Sequence, residues 1–465
     1  MDELTRISAK KLITGIKNKS YSCVDVMHAY LQRIDEVNPT LNALVQTLDN
    51  EQAMSAAHEA DKKIASGQPL GKLHGLPITI KDHIKVKGFT VTRGSMGFKD
   101  YLCEADAPIV TKLKQEGAII IGISNMPELG PAFETDNDVY GRTVNPYDVT
   151  KTPGGSSGGE AAIITSGGSC FGIGSDGGGS IRVPAHFSGI TGIKPTQHLL
   201  SCVGNMPTDG GIPAMFYSPG PMARYVEDLQ LVLPIISGWD NADPSVMPLK
   251  LDTSHKPIHE MKIAYLVSTK NTIPDPATQK TMENTIKALS KVSKQVTEID
   301  FLDVDALGKF LFDTFFYAGD QGRGYIDALK KVGVTKPSAT LQNFFDAAAK
   351  SEAFDVGELR LRLLELDQIK IKMFHYMQAF DAIVLPACAT TAKPHNTTQA
   401  NITDFHYTMV FNLLGWPATV VRCGEALDGL PVGVQIAAKP WDDYTTLAIA
   451  AHLEEVFGGW KPPKI

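Results

Sequence analysis

Serine and glycine dominate one stretch of the chain, and serine hydroxyls beside bare backbone N–H groups are suited to nucleophilic catalysis. Between Gly154 and Ser180, the two residue types fill 17 of 27 positions. Gly/Ser-rich segments usually form flexible linkers, but a solvated linker has no use for the apolar run Ala161 to Ile164. Ser157 followed by Glu160 is typical of a helix capping box. The pattern favours a functional site built from loops, a short helix and a short strand.

Three features combine into a candidate serine–lysine site. Ser156 precedes the predicted helix, whose N-terminus favours negative charge. Ser180 ends the run Gly177-Gly178-Gly179, and consecutive small residues can direct several backbone N–H groups at one point, as an oxyanion hole requires. Lys81 ends an apolar strand pattern. Its amine either reaches water, the usual outcome, or stays buried with a lowered pKa and serves as a base.

Two short glycine motifs in the same stretch point to other chemistry. Residues 172–177 spell G-x-G-x-x-G, but a dinucleotide site needs an acidic residue about 20 positions later, which the region around Gln197 lacks. Residues 154–158 spell G-x-S-x-G, the nucleophile elbow of α/β-hydrolases. That elbow follows a strand directly, where Pro153 is unsuitable, and no local pattern selects one of the eight downstream histidines. We reject the first motif and keep the second as a minor alternative.

The composition excludes several classes of function. The 465 residues carry a net charge of −7 and no basic block, which argues against nucleic acid as a partner. The six cysteines are scattered without a C-x-x-C pair, so neither a disulfide framework nor a zinc site is predicted. We interpret His74 and His83 as ordinary polar residues. With no H-E-x-x-H or Walker A motif in the sequence, we predict neither a metal nor a cofactor.

The chain carries no recognisable targeting segment. Its first 20 residues are charged and lack the apolar core of a signal peptide. No run of about 18 apolar residues is present for a membrane span. We therefore expect a cytoplasmic protein with reduced thiols and a small-molecule substrate, and leave a homodimer open.

Strand and helix patterns alternate along the chain, which predicts an α/β fold. Ser22 and Asp25 open a helix that Pro39 is expected to end. Turn-forming residues mark the segments that begin at Pro207 and Ser218. Buried strands are predicted at 118–123, 262–267, 382–385, 418–421 and 432–437, and helices at 107–116, 278–289, 358–374 and 447–457.

Longer motifs resemble those of the amidase signature family. They are Gly75-Leu-Pro-Ile-Thr-Ile-Lys81-Asp82, Pro153-Gly-Gly-Ser156-Ser157-Gly-Gly-Glu160, Gly174-Ser-Asp176-Gly-Gly-Gly-Ser180-Ile-Arg182-Val-Pro184, Gly192-Ile-Lys194-Pro195-Thr196, Gly220-Pro-Met-Ala-Arg224 and Leu430-Pro-Val-Gly-Val-Gln435. The 24 residues from Ser156 to Ser180 match the step between the family's two serines. The likeness is strongest between residues 70 and 200 and faint between 240 and 405.

The resemblance implies a Ser–cis-Ser–Lys triad. By position, Ser180 resembles the nucleophile, Ser156 the bridging serine after a cis peptide bond, and Lys81 the base. The backbone N–H groups that resemble the oxyanion hole are those of Gly177, Gly178, Gly179 and Ser180. Three further positions, Ser157, Asp176 and Arg182, match residues that support the loop. Gly177 departs from the family, whose members usually carry a larger residue there.

The resemblance also implies the fold and the reaction. We expect one amidase-signature domain over residues 1–465, an α/β/α sandwich whose large mixed sheet is covered by helices. Its motif core is about 70–200, and a helical region at about 270–410 shapes the pocket. Gly130, Pro131 and Phe133 match a region that lines the acyl pocket in relatives. The expected enzyme hydrolyses linear carboxamides through an acyl-enzyme.

Two alternatives to a stand-alone amidase stay open. The first is the glutaminase subunit of a tRNA-dependent amidotransferase, which shares the triad but works in a complex. The stretch from Glu134 to Arg142 looks more like the stand-alone amidases. The second is an inactive binding protein on the same fold, which the filled triad positions Lys81, Ser156 and Ser180 disfavour.

Overall fold

The computed structural model describes residues 2–205 and 211–465. Within them the strands are β1 Leu44–Thr47, β2 Pro77–Lys81, β3 Ile119–Ser124, β4 Phe171–Asp176, β5 Thr191–Lys194, β6 Ser218–Ala223, β7 Lys262–Tyr265, β8 Gln295–Glu298, β9 Ala382–Pro386, β10 Ala418–Glu425 and β11 Pro431–Ala438. The helices are α1 Ala9–Lys17, α2 Cys23–Leu41, α3 Asn50–Ala65, α4 Pro108–Gln115, α5 Gly158–Thr165, α6 Arg182–Phe187, α7 Gly211–Ala214, α8 Val226–Ile236, α9 Pro276–Leu289, α10 Val304–Leu311, α11 Arg323–Lys331, α12 Ala339–Ala348, α13 Val356–Tyr376, α14 His406–Leu414 and α15 Asp443–Phe457. A π-helical turn, Phe312–Phe316, follows α10 directly.

The described strands form one mixed 11-stranded sheet in the order β1-β3-β2-β4-β6-β5-β10-β11-β9-β7-β8. Side chains alternate between its two faces, as the pleat requires. In β9, Ala382 and Val384 join one hydrophobic cluster, whereas Ile383 and Leu385 join another. Helices α2, α5, α8 and α15 cover the first face, and α6, α10 and α14 cover the second. The predicted α/β/α sandwich with a mixed sheet is confirmed.

The neighbouring strands β3, β2 and β4 position the motif residues. They run parallel, so their carboxyl ends lie at one edge of the sheet. That edge carries Lys81 at the end of β2, Ser124 at the end of β3 and Asp176 at the end of β4. All five residues of β2 are buried, because the strand lies inside the sheet under helices.

Two sequence predictions at helix and strand bounds are wrong. Helix α2 continues through Pro39 to Leu41, because the carbonyl that Pro39 leaves without a donor belongs to the exposed Asp35 in the helix's last turns. The segment from Ser218 forms strand β6 rather than a turn. Pro219 and Pro221 are tolerated there because β6 pairs with β5 only at its last two residues.

The other predicted helices and strands lie within one to three residues of their observed bounds. The turn predicted from Pro207 lies outside the described residues. None of the described helices combines the length and the apolar composition needed to cross a membrane.

Candidate active site

Lys81 lies at the end of β2 with its amine inside the protein. The residue is 1% exposed, and Nζ lies 2.6 Å from Ser156 Oγ and 2.9 Å from Ser175 Oγ. Burial lowers the pKa of Lys81 to about 7, although the carboxylates of Asp176 and Glu160 oppose the shift. Of the two sequence alternatives, the buried amine is observed. Near neutral pH a large fraction of Lys81 is therefore uncharged and able to accept a proton.

Ser156 is held tightly in the loop that leads into α5. The peptide bond between Gly155 and Ser156 is cis. A Cβ at Gly155 would lie 2.1 Å from the Glu134 carbonyl oxygen, so only glycine fits before Ser156. Ser156 is 4% exposed, and its hydroxyl faces Lys81 rather than solvent.

Ser157 and Glu160 do not form the predicted capping box. The Ser157 hydroxyl pairs with the backbone of Ser175, accepting from its N–H and donating to its carbonyl, both at 3.2 Å. The Glu160 carboxyl accepts from Thr79 Oγ1 at 2.7 Å and from Ser124 Oγ at 3.0 Å. Burial raises the pKa of Glu160 to about 7. Both side chains therefore join the loop and helix to the sheet, a demand from tertiary structure that the local pattern does not reveal.

Ser180 follows β4 and the glycine run, and it is half-buried. Ser157 donates its N–H to the Ser180 carbonyl at 3.1 Å, which joins the two serine loops. Among the described residues, the N–H groups of Gly177, Gly178 and Ser180 have no hydrogen-bond acceptor. They are free to bind an oxyanion.

Gly179 differs from its neighbours in the run. Its N–H donates to Asp176 Oδ1 at 2.7 Å, so it is not available to a ligand. Its φ of +132° and a Cβ position 2.3 Å from Thr408 Oγ1 require glycine. The structure therefore places Gly179 as a spacer and leaves three of the four predicted N–H donors free.

Asp176 and Arg182 form a fully buried ion pair behind the glycine run. Arg182 Nη2 donates to Asp176 Oδ1 at 2.8 Å and Nε donates to Oδ2 at 2.9 Å. Arg182 Nη1 also donates to the Thr408 carbonyl and to Gln435 Oε1. Burial disfavours the Asp176 carboxylate, but Arg182 outweighs it and holds the pKa of Asp176 well below its ordinary value. The pair fixes the turn between β4 and α6.

Replacing Arg182 by Met is expected to lower the free energy of unfolding by about 3–5 kcal/mol, because the Asp176 charge would stay buried without a partner. Urea unfolding followed by circular dichroism measures the change. Lys62→Met is the matched control, since the Lys62–Glu59 pair is exposed and should leave the unfolding curve in place. Coincident curves for Arg182→Met and the wild type would contradict the role given to the pair.

A cavity opens above the two serine loops. Its lining residues are Lys81, His83, Met126, Leu129, Gly130, Pro131, Ala132, Phe133, Ser156, Ser175, Gly177, Gly178, Ser180, Tyr217, Phe312, Phe316, Tyr325, Leu341 and Phe344. The polar residues gather around Lys81, and the rest of the wall is apolar. The predicted pocket residues Gly130, Pro131 and Phe133 all line it, and Phe133 stacks on Phe405 with ring centroids 4.1 Å apart.

Sequence reasoning missed most of this wall. Phe312, Phe316, Tyr325, Leu341 and Phe344 come from the π-helical turn, α11 and α12. The sequence marked only the region, because aromatic residues in helices are typical of any core. Their association becomes visible once the chain folds over the serine loops.

His83 is a second residue that the sequence undervalued. It lines the cavity, is 3% exposed, and its Nε2 shares a hydrogen bond with the Tyr217 hydroxyl. Burial, together with the charges of Lys81 and Arg93, lowers the pKa of His83 well below its ordinary value. A neutral imidazole two residues after Lys81 therefore forms part of the polar end of the site. Its closeness to Lys81 in the sequence was the available signal.

The Amidase family model matches residues 25–447 of the chain. The chain belongs to the amidase signature family. Fatty-acid amide hydrolase 2 of Homo sapiens is 31% identical to it, covering 99% of this chain and 91% of that protein. Glutamyl-tRNA(Gln) amidotransferase of Heliobacterium modesticaldum matches through one of its chains, which is 30% identical, with 97% of each sequence covered. This amidase is therefore an amide-hydrolysing enzyme by family.

Structural comparison supports the fold of the amidase over its full length. The structure of 6-aminohexanoate cyclic dimer hydrolase, complexed with substrate, superposes with a TM-score of 0.86 at 22% identity. The alignment covers 100% of this chain and 99% of that one. The likeness extends to the helices around the cavity, where sequence similarity is faint.

Proposed function

We propose that this amidase cleaves the C–N bond of linear carboxamides with Ser180 as nucleophile, Ser156 as proton relay and Lys81 as base. The observation that carries the proposal is the buried Lys81 amine, 2.6 Å from Ser156 Oγ, in the cavity that Ser180 also lines. Serine is a weak nucleophile until a neighbouring base takes its proton. A lysine whose pKa is about 7 can be that base at neutral pH.

The choice of Ser180 among the cavity serines follows from exposure and surroundings. Ser156 and Ser175 are 4% and 2% exposed and lie against the Lys81 amine. Ser180 is more accessible and follows two free backbone N–H groups. A nucleophile must reach the substrate carbonyl carbon, and the resulting oxyanion must meet N–H donors. Ser180 alone of the three combines both properties.

The proposed reaction has two halves. Ser180 Oγ attacks the amide carbon while its proton passes to Ser156 Oγ and the Ser156 proton passes to Lys81 Nζ. The oxyanion accepts hydrogen bonds from the N–H groups of Gly177, Gly178 and Ser180. When the C–N bond breaks, the same relay returns a proton to the leaving nitrogen. Water then attacks the acyl-enzyme by the same route and releases the carboxylate.

The cavity wall favours a stand-alone amidase over a glutaminase subunit. Among its described lining residues there is no aspartate, glutamate or arginine, and Lys81 is occupied with the serines. The α-amino and α-carboxylate groups of glutamine would lose their hydration there without gaining charged partners. An uncharged amide does not incur that cost.

Incubation of the purified chain with a panel of amides tests the function. The panel holds aliphatic, aromatic and peptide amides, a lactam and L-glutamine, and release of ammonia or amine is measured. We expect hydrolysis of uncharged linear amides and none of L-glutamine. Hydrolysis of L-glutamine alone would favour the glutaminase subunit. Inactivity towards the whole panel would favour the inactive binding protein.

A further inference from the structure

Gly177 occupies a position in the cavity wall where the backbone does not need glycine. At Gly130, in the same wall, φ is +88°, which favours glycine. Gly177 has no positive φ, and a Cβ added there would lie 3.7 Å from Phe316 Cζ and 3.8 Å from Tyr217 Cδ2. Those are ordinary van der Waals contacts, so the fold would accept a side chain at this position.

The space left by Gly177 is part of the cavity. Gly177, Phe316 and Tyr217 all line it, as does Ser180 three residues further along the chain. An added Cβ would therefore fill room between two aromatic rings, beside the proposed nucleophile. The free Gly177 N–H points to the same conclusion, because a group held at the oxyanion position lies next to this wall.

The walls on either side of this space are apolar. Beyond Phe316 lie Phe312, Leu341 and Phe344, and Leu129 lies on the facing loop. Phe312 and Phe316 stack with ring centroids 5.1 Å apart, and both pack against the cluster that contains Phe344. A polar substituent would find few hydrogen-bond partners there, whereas an apolar one would be buried favourably.

We infer that Gly177 makes room for an apolar branch or ring on the carbon next to the substrate carbonyl. The substrate class is thus α-branched or aromatic acyl amides, and Gly177 is the residue that admits them. The inference rests on the proposed function, because it places the substrate carbonyl at Ser180. It concerns substrate choice, however, and can fail while amide hydrolysis stands.

Three 4-nitroanilides with the same leaving group test the inference: propionyl, isobutyryl and benzoyl. The first two differ by one methyl group on the carbon next to the carbonyl. We expect the wild type to accept all three. Gly177→Ala should lower kcat/KM for the isobutyryl and benzoyl anilides relative to the propionyl anilide by about tenfold, the usual effect of one misplaced methyl group in an apolar pocket. Gly177→Thr should lower that ratio further.

Gly178→Ala is the matched control. It adds the same methyl group one residue along the same loop, but its Cβ would face Met409 Cγ at 3.8 Å, and Met409 does not line the cavity. Any disturbance of the loop should then lower all three rates alike. Fluorophosphonate labelling of each variant checks that its serine loop is intact.

The outcomes separate the two proposals. An unchanged ratio in a labelled Gly177→Ala enzyme, or the same change in Gly178→Ala, overturns the role of Gly177 and leaves amide hydrolysis standing. A wild type that cleaves only the propionyl anilide also overturns it. A wild type that cleaves no amide in this set or in the wider panel overturns both.

Discussion

Ser180→Ala is expected to reduce kcat for the best amide substrate by about 10⁴- to 10⁶-fold and to abolish labelling by a fluorophosphonate. The alanine keeps the Cβ and the free N–H groups of the loop but removes the oxygen that would attack the carbonyl. Because Ser180 is half-buried and its proposed role needs only the hydroxyl, the fold should tolerate the change. Mass spectrometry of the labelled protein and steady-state kinetics measure the two effects.

The cavity offers two rival nucleophiles, so the experiment includes them. Ser156→Ala and Ser175→Ala remove the hydroxyls that contact Lys81. Ser156→Ala should slow labelling by breaking the proton path. Ser188→Ala is the neutral control, because Ser188 is buried just beyond α6 and lies outside the cavity lining. A label found on Ser156 or Ser175 in the wild type, or retained in Ser180→Ala, would refute the assignment of Ser180.

The parts of the site that lie in continuous motifs were predictable from the sequence. Ser156 and Ser180 are positioned by glycines whose necessity is local, as at Gly155, where a Cβ would meet the Glu134 carbonyl. The strand that ends at Lys81 follows from its apolar pattern. Whether Lys81 reaches water was not predictable, because periodicity does not say how many layers cover a strand.

Other parts of the site depend on contacts between distant segments. The N–H of Gly179 is taken by Asp176, a side-chain hydrogen bond that a run of glycines does not reveal. Phe316 and Phe344 are 136 or more positions beyond Ser180 and carry no motif. Strand β6 forms in spite of Pro219 and Pro221, because the register with β5 starts after them. In each case the tertiary pairing outweighs the local preference. The single domain over residues 1–465 stays a prediction.

Lys81→Met is expected to lower kcat/KM by about 10²- to 10⁴-fold, the usual contribution of a general base. It should also remove a specific pH dependence. In the wild type the base works only when Lys81 is neutral, and its pKa is lowered to about 7 by burial. Activity should therefore rise about tenfold per unit as pH increases towards 7, and level off above it. The residual rate of Lys81→Met should show no inflection near pH 7.

Lys194 supplies the control that separates catalysis from burial. It is also fully buried, and burial lowers the pKa of Lys194 to about 7, but its Nζ donates to the Pro195 carbonyl and it does not line the cavity. Lys194→Met should therefore keep the rise in activity up to pH 7, even if the unpaired carbonyl reduces stability. If the rise disappeared in Lys194→Met and persisted in Lys81→Met, the base would not be Lys81. Because both lysines titrate in the same range, only the variants, and not the pH profile alone, can assign the proton to the serine loops.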